Sequence, residues 1–376
     1  MLLVSEPILG VDEASALAEV IESNWITMGD LVRRFEQAFA EAHGASDAVA
    51  VNSCTAGLHL ALHALGIGPG DEVLVPSMSF VATASAVLYT GARPVFVDVV
   101  SPDVPLLSCA DAAAKCTPRT KAVIVMHYAG YLIDGAAWRD LARTHGLFLI
   151  EDSAHAVGRD RTALFSDVAV FSFYGNKNMT TAEGGMILAA DAAVLERTRQ
   201  ARSHGLTTDT VQRLRGRPAT YDVTMLGYNY RMDELCAAIG LVQLEKLDIW
   251  NKRREDLTAC YRAIMPAVCP EVTIPFSSGW RSAHHILPAL LPPGADRNAI
   301  MAALRSDGIQ TSYHYPPIHT LSLYRSMYPD LRLEQTENFG SRELTLPLHP
   351  KMGTVDVDRV VAALGRALSD DAGRVS

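Results

Sequence analysis

A lysine and an aspartate lie at two positions where their side chains could act on one carbonyl compound. Lys177 is in the polar segment YGNKNMTTAEG between two apolar runs, and Asp152 ends the apolar run LFLIED. Ligands of open parallel sheets bind at the carboxyl edge of the strands, and the chain between the two residues is long enough for a strand to return to that edge. A desolvated lysine near a carboxylate can attack an aldehyde, as in Schiff-base chemistry. A buried carboxylate can keep a pyridine nitrogen protonated, which makes the ring an electron sink.

Residues 53–56, Ser-Cys-Thr-Ala, end an apolar run and begin a helical pattern, which makes them a candidate anion site. The first N–H groups of a helix lack partners within the helix, and the helix dipole favours a negative charge there. The backbone N–H groups of Thr55 and Ala56, with the Thr55 hydroxyl, would bind a phosphate. An ordinary helix N-cap is the alternative that these residues leave open.

The elements that would position these residues alternate along the chain. Apolar, strand-like runs cover residues 48–53, 72–76, 94–99, 121–127, 147–152, 168–173 and 185–190, and helical patterns cover 55–66, 83–91 and 135–146. Strands that are apolar on both faces and alternate with helices are typical of a parallel sheet covered on both sides. The sequence therefore predicts an α/β fold with a central, mostly parallel sheet.

A long helical pattern divides the chain. Residues 233–265 keep helical spacing without a proline, and we interpret this helix as the connector between two lobes. The later segments carry proline and glycine breaks and are typical of a smaller α+β unit. We predict a large domain over residues 1–250, which includes the N-terminal segment, and a small C-terminal domain over 251–376.

Composition narrows the classes of protein. The 376 residues include 33 Lys or Arg and 42 Asp or Glu, and the net charge of −9 argues against a nucleic-acid-binding protein. The cysteines form no CxxC pair and the histidines no HExxH pattern, so we expect no metal site, and His284-His285 is predicted to lie on a strand. No apolar run approaches the ~20 residues that span a bilayer. The first residues lack the pattern of a signal peptide, so we expect a cytoplasmic protein without membrane association.

In order along the chain, the motifs resemble those of one family, the DegT/DnrJ/EryC1/StrS sugar aminotransferases, which are pyridoxal-phosphate enzymes of fold type I. The matching stretches cover nearly the whole chain, so the resemblance is highly specific. They are SNWITMG (23–29), the long run VNSCTAG to ASAV (51–87), PVFVDV (94–99), VMHYAG (125–130), IEDSAHAVG (150–158), FSFYGNKNMTTAEGGMI (171–187), LGYNYRMDELCAAIGLVQLEKL (226–247) and SYHYPPIH (312–319).

The resemblance implies a fold with a seven-stranded sheet in the large domain and assigns roles around the cofactor, pyridoxal 5′-phosphate. Lys177 matches the lysine that binds the cofactor, and Asp152 matches the partner of the pyridine nitrogen. His155 matches the position beside the ring hydroxyl. Phe80 matches the aromatic residue that stacks on the ring, whereas from the sequence alone it would be a core residue.

The resemblance also extends the candidate phosphate site. Ser172 matches a phosphate-binding hydroxyl that belongs with Thr55 and Ala56. Asn229 matches an asparagine that reaches the phosphate of the neighbouring subunit, which implies a homodimer with shared active sites.

One departure from the family pattern and one residue that is kept bear on the activity. Cys54 replaces a glycine that is common in the family, which is tolerable if that position does not require a positive φ. The chain keeps Lys177, where relatives that act as sugar dehydratases often carry histidine. The residue that transamination requires is therefore present.

Two further segments are candidates for contact with substrate. The loop HYPPIH matches the substrate mouth in the family, and we expect His314, Tyr315 and His319 to lie near the substrate, although proline-rich loops are also common as rigid connectors. The arginine-rich stretch 202–222, which includes Arg215, is either a solvated loop or a flap that binds the diphosphate of a nucleotide-linked sugar.

Taken together, the resemblance implies transfer of an amino group from L-glutamate to a keto-sugar, with pyridoxamine phosphate as the intermediate form of the cofactor. The most specific hypothesis is a dTDP-linked 4-keto-6-deoxyhexose that is aminated at C4 during amino-sugar or secondary-metabolite (antibiotic) biosynthesis. The alternatives are C3 amination of a 3-keto nucleotide sugar, a keto-inositol aminotransferase and a pyridoxal-phosphate-dependent sugar dehydratase. A non-catalytic regulator is disfavoured because Lys177, Asp152 and His155 are all present.

Overall fold

The computed structural model describes residues 1–158, 165–207, 220–276 and 279–375. Its strands are β1 (Val49–Val51), β2 (Glu72–Pro76), β3 (Arg93–Val97), β4 (Val99–Ser101), β5 (Val104–Leu107), β6 (Thr120–Met126), β7 (Phe148–Asp152), β8 (Val168–Ser172), β9 (Gly185–Ala189), β10 (Leu287–Leu290) and β11 (Glu343–Leu346). Its helices are α1 (Val11–Ser23), α2 (Asp30–Ala42), α3 (Cys54–Ala64), α4 (Ala82–Tyr89), α5 (Cys109–Lys115), α6 (Gly135–His145), α7 (Ala192–Ala201), α8 (Glu234–Val268), α9 (Arg297–Ser306), α10 (Ser322–Met327), α11 (Glu334–Arg342) and α12 (Thr354–Val375).

Seven strands form the central sheet, in the order β1-β9-β8-β7-β6-β2-β3. Strand β9 is antiparallel to both of its neighbours, and the other four pairings are parallel. The parallel pairs require helical crossovers, which explains why strands and helices alternate in the sequence. The predicted mostly parallel, seven-stranded sheet is confirmed.

The register of the sheet brings several sequence motifs to one edge. Val51 at the end of β1 and Ser172 at the end of β8 both pair with Gly185, the first residue of β9. A Cβ on Gly185 would lie 2.8 Å from the Cys54 nitrogen and 2.8 Å from the Phe171 oxygen, so the close approach requires glycine. The start of α3 is thereby held beside the end of β8.

Apolar side chains cover both faces of the sheet. Val49 and Val51 belong to a buried cluster with residues of α3, α4 and α7, whereas Ala50 belongs to a cluster on the opposite face with Phe35 and Phe39 of α2. Each of the two phenylalanines is fully buried and contributes roughly 1.5–3 kcal/mol by leaving water. Cover on both faces leaves the ends of the strands as the place where a ligand can reach the sheet.

The long helix α8 has 35 residues and is about 50 Å long at the usual rise per residue. Its N-terminus is capped by Asp233, whose side chain accepts a hydrogen bond from the Cys236 N–H. It contacts α1 and α2 near the sheet and α12 in the C-terminal part of the chain. The predicted long helix is confirmed, and it continues through Pro266 to Val268. Its role as the connector between two lobes stays a prediction.

The C-terminal residues form a separate apolar cluster around the antiparallel pair β10–β11, with residues of α8, α9 and α12. The division of the chain at residue 250 stays a prediction. The expected strand at His284-His285 is wrong, because β10 begins only at Leu287 and the His284 φ is 49°. The His285 N–H is donated to the Ala129 oxygen, which ties this segment to the short turn after β6 instead of to a strand. No helix within the described ranges is long and apolar enough to cross a membrane.

Candidate active site

A cavity of about 470 Å³ lies at the carboxyl edge of the central sheet, where β6, β7 and β8 end. Most of the site residues predicted from the sequence line it. They are Thr55, Phe80, Asp152, His155, Ser172, Lys177, His314 and Tyr315. They come from four separate parts of the chain, so the fold brings together side chains that the sequence keeps far apart.

Lys177 follows β8, and its side chain is half-buried in the wall of the cavity. Burial lowers the pKa of its amine to about 8, although the charge of the nearby Asp152 carboxylate raises it. Within the described parts of the chain, no residue forms a hydrogen bond or ion pair with the Lys177 side chain. The amine is therefore available to react with a bound aldehyde, and at mildly alkaline pH much of it is uncharged.

Asp152 is the last residue of β7 and is buried. Its Oδ2 accepts a hydrogen bond from the Thr83 hydroxyl at 2.7 Å, and its Oδ1 accepts one from the Ala154 N–H at 3.2 Å. The Ser79 hydroxyl is 2.6 Å from the Thr83 hydroxyl and completes the chain of hydrogen bonds. Burial raises the pKa of Asp152, while these bonds oppose the rise. A cation beside Asp152, such as a protonated pyridine nitrogen, would stabilise the carboxylate further.

His155 lies between the backbone and the tyrosine of the HYPPIH loop. Its Nδ1 accepts a hydrogen bond from the Ala129 N–H at 3.2 Å, and its Nε2 is 2.8 Å from the Tyr315 hydroxyl. Burial and the charge of Lys177 lower the pKa of His155, so the ring is neutral and its proton is on Nε2. His155 thus donates to the Tyr315 oxygen, which leaves the tyrosine proton for a molecule in the cavity.

The start of α3, with Ser53, Cys54 and Thr55, lines one end of the cavity. The Ser53 side chain accepts the Ala56 N–H at 3.1 Å as an N-cap, so Ala56 is engaged within the protein, contrary to the expectation that it donates to a phosphate. The N–H groups of Cys54 and Thr55 have no acceptor among the described residues. Both groups, with the Ser172 hydroxyl at the end of β8, are directed to one region by the sheet register. Cys54 has no positive φ, so the cysteine is accommodated as expected.

Phe80 is an exposed aromatic side chain at the cavity, with 56% of its surface accessible. The interpretation of Phe80 as a core residue is therefore wrong. Its ring centroid is 5.9 Å from that of Tyr315, and the two rings are tilted by 56°. A flat aromatic ligand between them and Asp152 would bury apolar area on the exposed Phe80 ring.

Two predicted residues lie away from the cavity, and a third belongs to a part of the chain that the structure does not describe. His319 is buried outside the cavity, where its Nδ1 is 2.7 Å from the Ser77 hydroxyl and its Nε2 is 3.0 Å from Glu337. Asn229 is exposed on a segment that bridges to Ser203 and does not line the cavity of its own chain. Arg215 lies outside the described residues.

Arg202, from the same arginine-rich stretch as Arg215, is buried. Its guanidinium donates to Glu36 at 2.5 Å and to the Ala50 oxygen at 2.6 Å. Arg202 therefore stabilises the fold and is not available to a diphosphate.

Sequence reasoning missed the residues that support the lysine and the aspartate. Asn178, directly after Lys177, donates to Asn251 of α8 and to the Ala283 oxygen, both at 2.7 Å, and its own oxygen is 2.8 Å from His285 Nδ1. These contacts hold the lysine loop against the long helix. The only sequence signal was the position of Asn178 beside Lys177. No group of three metal-ligating side chains occurs in the described parts of the chain.

The donor set fits pyridoxal phosphate. It combines an amine without a partner among the described residues, a buried carboxylate on a strand end, helix N–H groups with a hydroxyl, and an exposed aromatic ring. Fold and site together define a pyridoxal-phosphate-dependent aminotransferase. The chain belongs to the DegT/DnrJ/EryC1/StrS aminotransferase family, whose model matches residues 7–365.

Solved structures of similar proteins agree with this assignment. The aminotransferase TlmJ from Streptoalloteichus hindustanus is 34% identical, with 98% of this chain and 99% of TlmJ covered and a TM-score of 0.90. DesI, crystallised in the presence of its TDP-sugar product, is 32% identical, with 100% and 95% covered and a TM-score of 0.88. The sugar aminotransferase Spr1654 from Streptococcus pneumoniae, in its PMP form, is 27% identical, with 98% and 100% covered and a TM-score of 0.88.

Proposed function

We propose that this chain transfers an amino group from L-glutamate to the ketone of a nucleotide-linked sugar. The observation that carries the proposal is the Lys177 amine, which lines the cavity beside Asp152 with its pKa lowered to about 8. An aminotransferase requires such an amine, because the lysine must both hold the cofactor and exchange protons.

Pyridoxal phosphate, when bound, supplies an aldehyde that condenses with amines and a ring that withdraws electrons from them. Asp152 would hold the positive charge of the pyridine nitrogen, and Thr83 would hold the Asp152 carboxylate in place. The Cys54 and Thr55 N–H groups and the Ser172 hydroxyl would bind the phosphate. These contacts orient the cofactor and leave Lys177 free for proton transfer.

Lys177 would act as the general base that removes the proton from Cα of glutamate. A lysine with an ordinary pKa would be almost fully protonated at neutral pH and could not accept that proton. Burial lowers the pKa of Lys177 to about 8, which provides an uncharged fraction. The same group would return a proton when the sugar ketone receives the amine.

The nucleotide-linked substrate is supported by the similarity to DesI, which was crystallised with its TDP-sugar product. Among such substrates we favour a dTDP-linked 4-keto-6-deoxyhexose that is aminated at C4, with C3 amination of a 3-keto sugar as the competing specificity. His314 and Tyr315 line the cavity and would contact the sugar. A role of Arg215 at the diphosphate stays a prediction.

The absorption spectrum tests the first half-reaction. The protein loaded with pyridoxal phosphate is expected to be yellow, and L-glutamate is expected to bleach it while an equivalent amount of 2-oxoglutarate forms. The bleached protein should then regain its colour with a 4-keto sugar nucleotide, and the position of the new amine can be read by NMR. A protein that takes up no pyridoxal phosphate would overturn the proposal, and a yellow protein indifferent to glutamate would exclude glutamate as donor.

Two copies of the chain would form a homodimer with shared active sites. Asn229 is exposed, and the segment before it carries Tyr221, Val223 and Leu226, which are 56%, 54% and 70% exposed. Such side chains would mark a protein interface if they form one contiguous patch. Asn229 would reach the phosphate site of the partner from this segment.

A subunit-mixing experiment is expected to show that Asn229 acts on the neighbouring site. Lys177→Ala and Asn229→Ala variants should each be weakly active or inactive alone. After unfolding and refolding together in equal amounts, about a quarter of the sites should be intact, because each mixed dimer contains one site with both residues. Activity regained to that level supports the shared site. If Asn229 serves its own chain, the mixture will stay as inactive as its components.

A further inference from the structure

A buried glutamate lies behind the cavity wall and is linked to His314. Glu343, the first residue of β11, is 1% exposed, and Thr345, two residues later on the same strand, is fully buried. Glu343 Oε2 accepts the backbone N–H of His314 at 2.7 Å. Glu343 Oε1 is 2.6 Å from the Thr345 hydroxyl, which is 2.8 Å from His314 Nδ1. Carboxyl, hydroxyl and imidazole thus form one continuous chain of hydrogen bonds.

The backbone fixes this chain in place. The Thr345 N–H is donated to the Ser312 oxygen at 2.8 Å, and the Ser312 N–H to the Thr345 oxygen at 3.2 Å, so the segment before His314 is held beside β11. The Tyr128 hydroxyl donates to the His314 carbonyl oxygen. Since both backbone groups of His314 are bound, the imidazole is held at the cavity with Nδ1 towards Thr345. Its Nε2 has no partner among the described residues and is available to a ligand.

The Thr345 hydroxyl allows only two arrangements of the protons between Glu343 and His314. When Glu343 is ionised, Thr345 donates to it and accepts the proton on His314 Nδ1, so that Nε2 is an acceptor. When Glu343 is protonated, it donates to Thr345, and Thr345 donates to Nδ1, so that the imidazole proton is on Nε2. The imidazole is neutral in both arrangements.

We infer that Glu343 is a positioning residue that decides, through the Thr345 hydroxyl, whether His314 offers a hydrogen-bond donor or an acceptor to the sugar. The donor form matches a ketone or hydroxyl oxygen of the amino acceptor. The acceptor form matches only a group that carries a proton. The consequence for the sugar rests on the proposed function, whereas the proton arrangement itself does not.

The surroundings of Glu343 and His314 place the switch between the two proton arrangements near physiological pH. Burial raises the pKa of Glu343 to about 8, although the hydrogen bonds from Thr345 and His314 and the charge of Arg297 on α9 lower it. The hydroxyls of Tyr128 and Tyr315 also face Glu343. Burial and the charge of Lys177 lower the pKa of His314 to about 4, and His155 also lies near it. His314 therefore offers a donor below about pH 8 and an acceptor above it.

The arrangement is measurable in the cofactor-loaded protein without substrate. In protein labelled with ¹⁵N-histidine, the His314 signals, assigned by their loss in His314→Gln, should change from the Nε2–H to the Nδ1–H form as pH rises through about 8. Glu343→Gln should hold the Nε2–H form at every pH, because its carbonyl oxygen accepts the His314 N–H and its amide donates to Thr345. Thr345→Ser should keep the pH response, and Thr345→Val should remove it.

Kinetics supply the second readout. In the wild type, KM for the amino acceptor should rise roughly three- to tenfold above pH 8, about the contribution of one neutral hydrogen bond. The increase should be absent in Glu343→Gln. KM for glutamate should change with pH in the same way in the wild type and in Glu343→Gln. A His314 tautomer that still changes with pH in both Glu343→Gln and Thr345→Val would overturn the inference. A correct NMR response without any activity on keto-sugars would overturn only the proposed substrate.

Discussion

Replacement of Lys177 with alanine is expected to abolish both half-reactions. The fall in kcat/KM should be roughly 10⁴-fold or more, because proton transfer by a positioned side chain alone contributes typically 10²–10⁴-fold. The variant would also lose the amine that we propose holds the cofactor. The measurement is single-turnover bleaching by glutamate, followed by recovery of colour with the keto-sugar.

Two controls separate the reactive amine from its charge and from the fold. Lys177→Arg keeps a positive charge, but its guanidinium cannot be deprotonated, so it should be as inactive as the alanine variant. A small primary amine such as methylamine should restore part of the activity of Lys177→Ala, because it can occupy the space of the missing side chain. Thermal unfolding should stay close to the wild type, since no described residue bonds to the Lys177 side chain. A variant that turns over at an appreciable fraction of the wild-type rate would refute the role.

The site of Lys177 and Asp152 was predictable because both depend on local patterns. A strand that ends in a carboxylate and a polar loop between two apolar runs are visible in a short stretch of sequence. The edge where they meet follows from the rule that parallel strands present their carboxyl ends together. The start of α3 reaches the same edge because Val51 and Ser172 both pair with Gly185, and no local pattern contains such a strand pairing.

The supporting residues were not predictable for the same physical reason. Thr83 reaches Asp152 across 69 positions of sequence, and Glu343 reaches His314 across 29. Such contacts are set by the packing of whole elements, so composition and spacing carry no signal for them. His319 illustrates the reverse error, because a position near His314 and Tyr315 in sequence did not place its side chain at the cavity.

Conversion of Asp152 to asparagine is expected to lower kcat by roughly 10²–10³-fold or more, comparable to the loss of one preorganised electrostatic group in other active sites. An amide occupies the same volume but carries no charge, so the pyridine nitrogen would lose its proton more readily. The ring would then withdraw electrons less well, and removal of the Cα proton should slow most. A Cα-deuterated glutamate should therefore show a larger isotope effect with the variant than with the wild type.

Neighbouring positions provide matched controls for Asp152. Thr83→Val removes the hydroxyl that donates to Asp152 but keeps the charge, so kcat should fall only about 10- to 100-fold. Glu151 points to the opposite face of β7, where it is bonded to His127 and Ser166. Glu151→Gln should therefore lower the melting temperature while kcat stays within a few-fold of the wild type. If Asp152→Asn and Glu151→Gln reduce kcat equally, the effect arises from disturbance of the strand, and Asp152 has no special role at the cofactor. If kcat instead falls most in Asp152→Asn, less in Thr83→Val and least in Glu151→Gln, the charge of Asp152 acts on a ligand in the cavity.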